Sequence, residues 1–287
     1  METLLPKIRD YYVLTKPEVN LLILMTTSAG YYLGVREAFH FSGLLNTLIG
    51  TLLVASGTAT LNQWMERRWD AQMRRTANRP LPSGRVSPRE ALLCGVLLSG
   101  LGAVYLLALV NALTSLLATA TLLSYLLVYT PLKRRTPLCT LLGAFPGAMP
   151  TLIGWAGAAN SLSINAALPF AILFLWQFPH FLAIALMYRD DYARAGYHML
   201  PHFDVETRFT RGEIVGFTLV LILTTIAPAA LRASAMYLGS LLLAGGFLLY
   251  HVLRLAASGS KVAASRVLHA SVAYLPIALA ILAVAKR

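Results

Sequence analysis

Three oxygen-bearing side chains stand four residues apart, Asn62, Glu66 and Asp70, at the start of the run NQWMERRWDAQMRRTANRPLP that ends at Pro82. On a helix that spacing puts them on one face, drifting slowly around it. Two carboxylates and an amide make a donor set for a hard divalent cation. Magnesium takes one or two carboxylates and completes its shell with water and substrate phosphate. Arg74, Arg75, Arg79 and Arg85 follow closely, and guanidinium forks match phosphate oxygens. The segment thus combines metal-binding acids with phosphate-binding bases. The same residues also fit a solvated helix end laced with salt bridges, and residue types alone weigh the two equally.

A second acidic cluster lies between Trp176 and Pro201, where Asp190 and Asp191 are adjacent. His180 precedes it inside an apolar run, and helical spacing places His180, Ile184, Tyr188 and Asp191 on one stripe. A polar group at that depth faces the bundle interior, either as a hydrogen-bonded packing residue or against a ligand. Between the clusters, Tyr129, Lys133 and Arg134 flank Pro131, which is expected to end its helix. Positive charge beside a membrane span needs no function to explain it. Residues 143–157 (GAFPGAMPTLIGWAG) are small and proline-bearing, a pattern for close helix packing.

These residues need elements to hold them, and composition says which. The 287 residues are 57% hydrophobic and 13% charged, with mean hydropathy +0.65. Soluble domains carry roughly 25% charged residues. Apolar stretches of spanning length recur near 19–38, 41–65, 89–109, 112–130, 138–158, 165–187, 212–232, 235–256 and 265–285. Each must satisfy its own backbone in lipid and so is a helix. Residues 1–18 are too polar for a cleaved signal core. There Leu4, Leu5, Ile8, Tyr11 and Tyr12 fall at helical spacing, as in a helix lying in the interface or in a cytosolic tail. Cys94 and Cys139 form no disulfide framework and no metal spacing.

With nine spans, alternate loops share the side of the N-terminus. Of the 24 Lys and Arg, only Arg36, Arg232, Lys286 and Arg287 fall on the other side, so the basic side is cytoplasmic, or matrix in a mitochondrion. Topology accounts for most of that charge, and no nucleic-acid partner is expected. Acids are not placed by that rule, yet of the 12 only Glu37 lies on the far side. The acids therefore carry the functional information.

The pattern N-x3-E-x3-D-x2-M-x-R-T-x2-R-P-L from Asn62 to Leu81 resembles the first signature of the UbiA-type intramembrane prenyltransferases, in the form of their haem O synthase branch. General members carry N-x3-D-x3-D, so Glu66 departs in side-chain length but not in charge. Tyr129, Lys133 and Arg134 are similar to the family's diphosphate-contacting Y-x3-K-R element. Trp176, Pro179, His180, Tyr188, Asp190, Asp191, Tyr192, Gly196, Met199, Leu200 and Pro201 resemble the second signature, with adjacent aspartates in place of D-x3-D. The two acid-bearing loops also suggest an internal duplication, since Leu81-Pro82 and Leu200-Pro201 fall at similar places in them.

The resemblance covers most of the chain and implies one all-α domain over 1–287. It would be a polytopic bundle of about nine transmembrane helices around a central lipid-open cavity. An interfacial segment at 1–18 and catalytic cytoplasmic loops at 66–88 and 188–211 would complete it. It implies Mg2+ on Asn62, Glu66, Asp70 and Asp191, with Asp190 an alternative ligand, and Asn62, Glu66, Asp70 and Asp191 as the catalytic set. Arg74, Arg75, Arg79, Tyr129, Lys133 and Arg134 would hold diphosphate, and His180 and Tyr188 would touch haem. The implied substrates are farnesyl diphosphate and haem b. The allylic cation released from the diphosphate is attacked by a haem vinyl group, and water quenches the product cation to give haem O. The implied setting is the bacterial inner membrane, among lipid, with a later-acting haem enzyme or terminal oxidase as partner. Prenylation of a quinone precursor is the rival within the fold. A transporter is the rival of another class, and it fits poorly because nearly all ionisable residues sit at helix ends.

Overall fold

A chain that crosses lipid has no water for its amides, so its regular structure is helical. The computed structural model describes residues 4–232 and 235–286, with side chains omitted at 4, 5 and 228–232. The expectations for the Leu4, Leu5 and Arg232 side chains and for Arg287 therefore lie outside the described residues. Among those described there is no strand. The helices are α1 (Leu4–Leu14), α2 (Pro17–Gly34), α3 (Phe41–Asp70), α4 (Pro88–Leu109) and α5 (Ala112–Ser124). A π-turn (Tyr125–Tyr129) runs into α6 (Thr130–Leu132), followed by α7 (Cys139–Ala159) and α8 (Ala167–Met187). Two short helices, α9 (Arg189–Arg194) and α10 (Leu200–Phe203), precede α11 (Arg208–Arg232), α12 (Ala235–Ser258) and α13 (Lys261–Ala285).

Among the described residues, eight helices are long and apolar enough to span a membrane, with α5, the π-turn and α6 counted as one (Ala112–Leu132). The shorter α2, which starts with Pro17 and carries Glu18 and Asn20, is the ninth long helix. Successive long helices are neighbours, α2 also packs on α7 and α8 on α13, and α13 returns to α2. Lys286 fastens that closure by donating to the Tyr32 and Val35 carbonyls.

The small residues of α7 serve packing. A Cβ on Gly30 would lie 2.1 Å from the Thr151 carbonyl oxygen, and one on Gly154 would lie 2.0 Å from that of Thr27. The α2 and α7 backbones therefore touch. In lipid such close van der Waals approach replaces the hydrophobic force that water would supply.

Four boundaries differ from expectation. The first span ends at Gly34 instead of residue 38, because Val35 is extended. The second runs on to Asp70, so residues 66–70 of the expected loop are helix. Pro131 does not end its helix. It lies inside the last turn, where the preceding backbone widens into the π-turn. A proline lacks the N–H of an α-turn and clashes with the carbonyl four residues back, and the π-register relieves that clash. The expected loop 188–211 likewise contains α9, α10 and the first turn of α11.

Candidate active site

The last three turns of α3 carry the first cluster. Asn62, Glu66 and Asp70 are 1%, 5% and 1% exposed, so all three side chains point into protein. A buried carboxylate is tolerated only with partners. Lys133 Nζ lies 2.8 Å from Glu66 Oε1, and Arg79 Nη1 lies 2.8 Å from Asp70 Oδ2. Thr76 Oγ1 donates to the Asp70 carbonyl and turns the chain back after the helix. The arginine-rich segment thereby folds over the helix end that bears the acids.

Asp191 comes to this assembly from α9. Buried, it accepts the Arg75 backbone N–H on Oδ2 at 3.3 Å and the Arg194 guanidinium on Oδ1. Arg75 spreads across the second loop, 4.8 Å above the Tyr188 ring and within reach of the Tyr192 hydroxyl. Met73, Cys139, Ala195, Tyr197 and Met199 pack into one buried cluster beneath these contacts. The methionines of the two signatures thus share one core and tie the loops together. Leu81 packs with Leu14, Val86 and Ala91 in another.

Other expected members stand apart. Asp190 is exposed and pairs with Lys261 at 2.8 Å, facing α13 and not Asp191's partners. Arg134 is exposed, with its guanidinium 4.3 Å over the Trp69 ring. Arg74 is exposed and makes no hydrogen bond or ion pair among the described residues. Tyr129 lies under Lys133, whose Nζ is 4.6 Å from the ring centre. The stripe joining His180 to Tyr188 and Asp191 does not form, because α8 stops at Met187 and Tyr188 (φ −109°, ψ 25°) redirects the chain. His180 instead stacks on Trp176 with centroids 4.4 Å apart. Its Nδ1 lies 2.9 Å from Ser271 Oγ on α13. Tyr188 belongs with Arg75, away from His180.

Sequence reasoning counted Lys16 as topological charge only. Its Nζ donates to Asn62 Oδ1 at 3.0 Å. Lys16 has φ 52° directly before Pro17, a left-handed conformation that the following proline disfavours. The junction is pinned to α3 by Gln63 Nε2 donating to the Leu14 carbonyl at 2.7 Å. Asn20 Nδ2 adds bonds to the Thr15 carbonyl and to Ser56 Oγ. Strain of this kind, held by surrounding bonds, gathers at functional sites. The available signal was a basic residue set directly against an apolar span. Tyr197 was also missed, since only its motif neighbours were marked.

The electrostatics follow. Burial, with Arg79 and Lys133 nearby, lowers the Lys16 ammonium to about 7, against the pull of Glu66 and Asp70. Burial would also lower Lys133, but Glu66, with Tyr129 and Tyr125, holds it well above its ordinary range. Burial and the neighbouring Glu66 push the Tyr197 hydroxyl up. Lys133 thus stays charged beside Glu66, where an anion's oxygens could meet it.

No group of three or more His, Cys, Asp or Glu converges to cage a metal among the described residues. The oxygen donors Asn62, Glu66 and Asp70 on one buried face suit a magnesium ion that shares its shell with water and phosphate, and Asp191 reaches the same segment through the Arg75 backbone.

The chain was compared with known proteins. The model of the UbiA prenyltransferase family matches residues 23–275. A protoheme IX farnesyltransferase of Solibacter usitatus is 50% identical over 279 residues, covering 94% of this chain and 96% of the relative. One of Salinibacter ruber is 41% identical over 276 residues, covering 96% and 98%. Among solved structures, digeranylgeranylglyceryl phosphate synthase superposes with TM-score 0.77 at 18% identity, covering 98% of this chain and 99% of that one. A UbiA homologue from Archaeoglobus fulgidus bound to GPP and Mg2+ gives 0.68 at 14% identity, covering 95% and 99%. These two establish likeness of fold.

Proposed function

The chain belongs to the UbiA prenyltransferase family, and on that premise we propose that it transfers the farnesyl group of farnesyl diphosphate to a vinyl group of haem b, with addition of water, giving haem O. It is an integral, multi-pass membrane enzyme, an intramembrane prenyltransferase. The observation that carries the choice of substrate is the 50% identity to a protoheme IX farnesyltransferase across nearly the whole of both chains. The meeting of both acidic signatures at one end of the bundle supports it.

Asn62, Glu66, Asp70 and Asp191 are the residues that would hold Mg2+, which when bound neutralises diphosphate charge and eases ionisation of the allylic carbon–oxygen bond. Lys133 and Arg79 are already drawn into the acids, so they meet the diphosphate oxygens with little further ordering. Arg75 and Lys16 extend that cationic wall, and Arg75 links it to Asp191. The Tyr125 and Tyr129 rings, 4.9 Å apart beside Lys133, offer π-faces to an allylic cation. His180, held by Trp176 and Ser271, would orient haem in the bundle. Asp190 and Arg134 stay outside the set. The positive-inside bias supports a bacterial inner membrane with these loops in the cytoplasm. A later-acting haem enzyme or terminal oxidase would take the product.

Incubation of the purified chain with Mg2+, haem b and farnesyl diphosphate is expected to yield hydroxyethylfarnesyl haem by mass spectrometry. Unchanged haem, with a quinone precursor farnesylated in its place, would assign the chain to the other branch.

A further inference from the structure

The Asn62 carboxamide has a donor end and an acceptor end, and only the acceptor serves a cation or a lysine. What decides which end faces the acids lies across the bundle in Thr130. Asn62 Nδ2 donates to Thr130 Oγ1 at 3.1 Å, and Thr130 Oγ1 donates to the Tyr125 carbonyl at 2.9 Å. The backbone N–H of Thr130 also donates to the Tyr125 carbonyl, the bond that closes the π-turn. A threonine hydroxyl has a single hydrogen, here committed to that carbonyl. Towards Asn62 it can only accept, so the amide must present its NH2 there and its oxygen to the opposite side. Lys16 Nζ, 3.0 Å from Asn62 Oδ1, meets the oxygen end of the same amide. Both Asn62 and Thr130 are buried, so no water competes for the arrangement.

The π-turn makes this possible. It widens the helix so that the Thr130 hydroxyl reaches a carbonyl five residues back, and π-turns inside α-helices recur at functional sites. Room for the turn comes from α7, where a Cβ on Gly143 would lie 2.4 Å from the Tyr129 ring.

We propose that Thr130 is a positioning residue that, through the π-turn, locks the Asn62 carboxamide with its oxygen towards the acidic face and so sets the affinity of that face for a divalent cation. The proposal rests on Asn62 being a metal donor. Hydrogen-bonded partners behind metal ligands change affinity by ~10–100-fold when removed.

The test uses the full chain in detergent, with Mn2+ and inorganic diphosphate, and follows free Mn2+ by electron paramagnetic resonance. Thr130→Val keeps the shape and loses the hydroxyl, and it is expected to weaken Mn2+ binding at least tenfold. Thr130→Ser should stay within threefold of wild type. The Mg2+ concentration for half-maximal turnover should rise in the valine variant, with kcat restored at saturating Mg2+. Thr130→Ala replaces valine if that variant does not fold. If Asn62→Ala weakens Mn2+ binding but neither Thr130 variant does, the positioning role is wrong. If Asn62→Ala also binds as wild type, the reading of Asn62 as a metal donor fails first.

Discussion

The two acidic regions look alike in sequence and are built differently. The first is carried by one continuous helix, whose uninterrupted α3 register puts Asn62, Glu66 and Asp70 on the same buried face. The second hangs on the break at Tyr188 and the six-residue helix α9, so its two adjacent aspartates diverge. Asp191 turns inward to the Arg75 backbone, whereas Asp190 turns outward to Lys261. A long helix fixes direction through its own hydrogen bonds. A helix of fewer than two turns takes its direction from what it packs against, here the cluster shared by Met73 and Met199. The first region is therefore a preformed face of oxygen-bearing side chains, and the second depends on docking between loops.

The largest expected effect tests the preformed face. Asp70→Asn keeps the shape and an acceptor for Arg79, yet turnover should fall at least ~100-fold while the variant still inserts into the membrane. Wild-type turnover in that variant would remove α3 as the donor face.

The next separates the neighbouring aspartates. Asp191→Asn should cost ~10–100-fold in kcat/KM, and Asp190→Asn should remain within about threefold, since exposed pairs contribute little. Equal losses would mean that both aspartates face the site in solution.

The smallest concerns the outward pair and pH. The hydrogen bond and charge of Lys261 hold the Asp190 carboxyl below its ordinary range. A carboxylate lowered on folding contributes stability above its unfolded pKa, and loses it as pH falls through the folded value. With both side chains more than half exposed, the pair is worth no more than ~0.5 kcal/mol. Wild type and Lys261→Gln should differ slightly in Tm at neutral pH, begin to converge below the usual aspartate value of about 3.9, and coincide once the pH is under the lowered folded value. A gap that persisted in acid would assign the effect to packing.

The sequence by itself determined the nine long helices found among the described residues, the gathering of charge at their ends, and the shared face of Asn62, Glu66 and Asp70. These follow from one-dimensional physics: the thickness of the hydrocarbon layer, the avoidance of charge within it, and the 3.6-residue turn. Only the tertiary structure decided that Asp191 and not Asp190 joins the first loop, and that His180 turns to Ser271 and away from the acids. It also brought Lys16 and Thr130 to opposite ends of the Asn62 amide, from positions 46 and 68 residues away. Such meetings depend on which helix faces lie together. In a bundle whose outward and inward faces are both apolar, sequence pattern gives little sign of that. The helix breaks at Pro131 and Tyr188 redirect the chain by angles that only the surrounding packing sets.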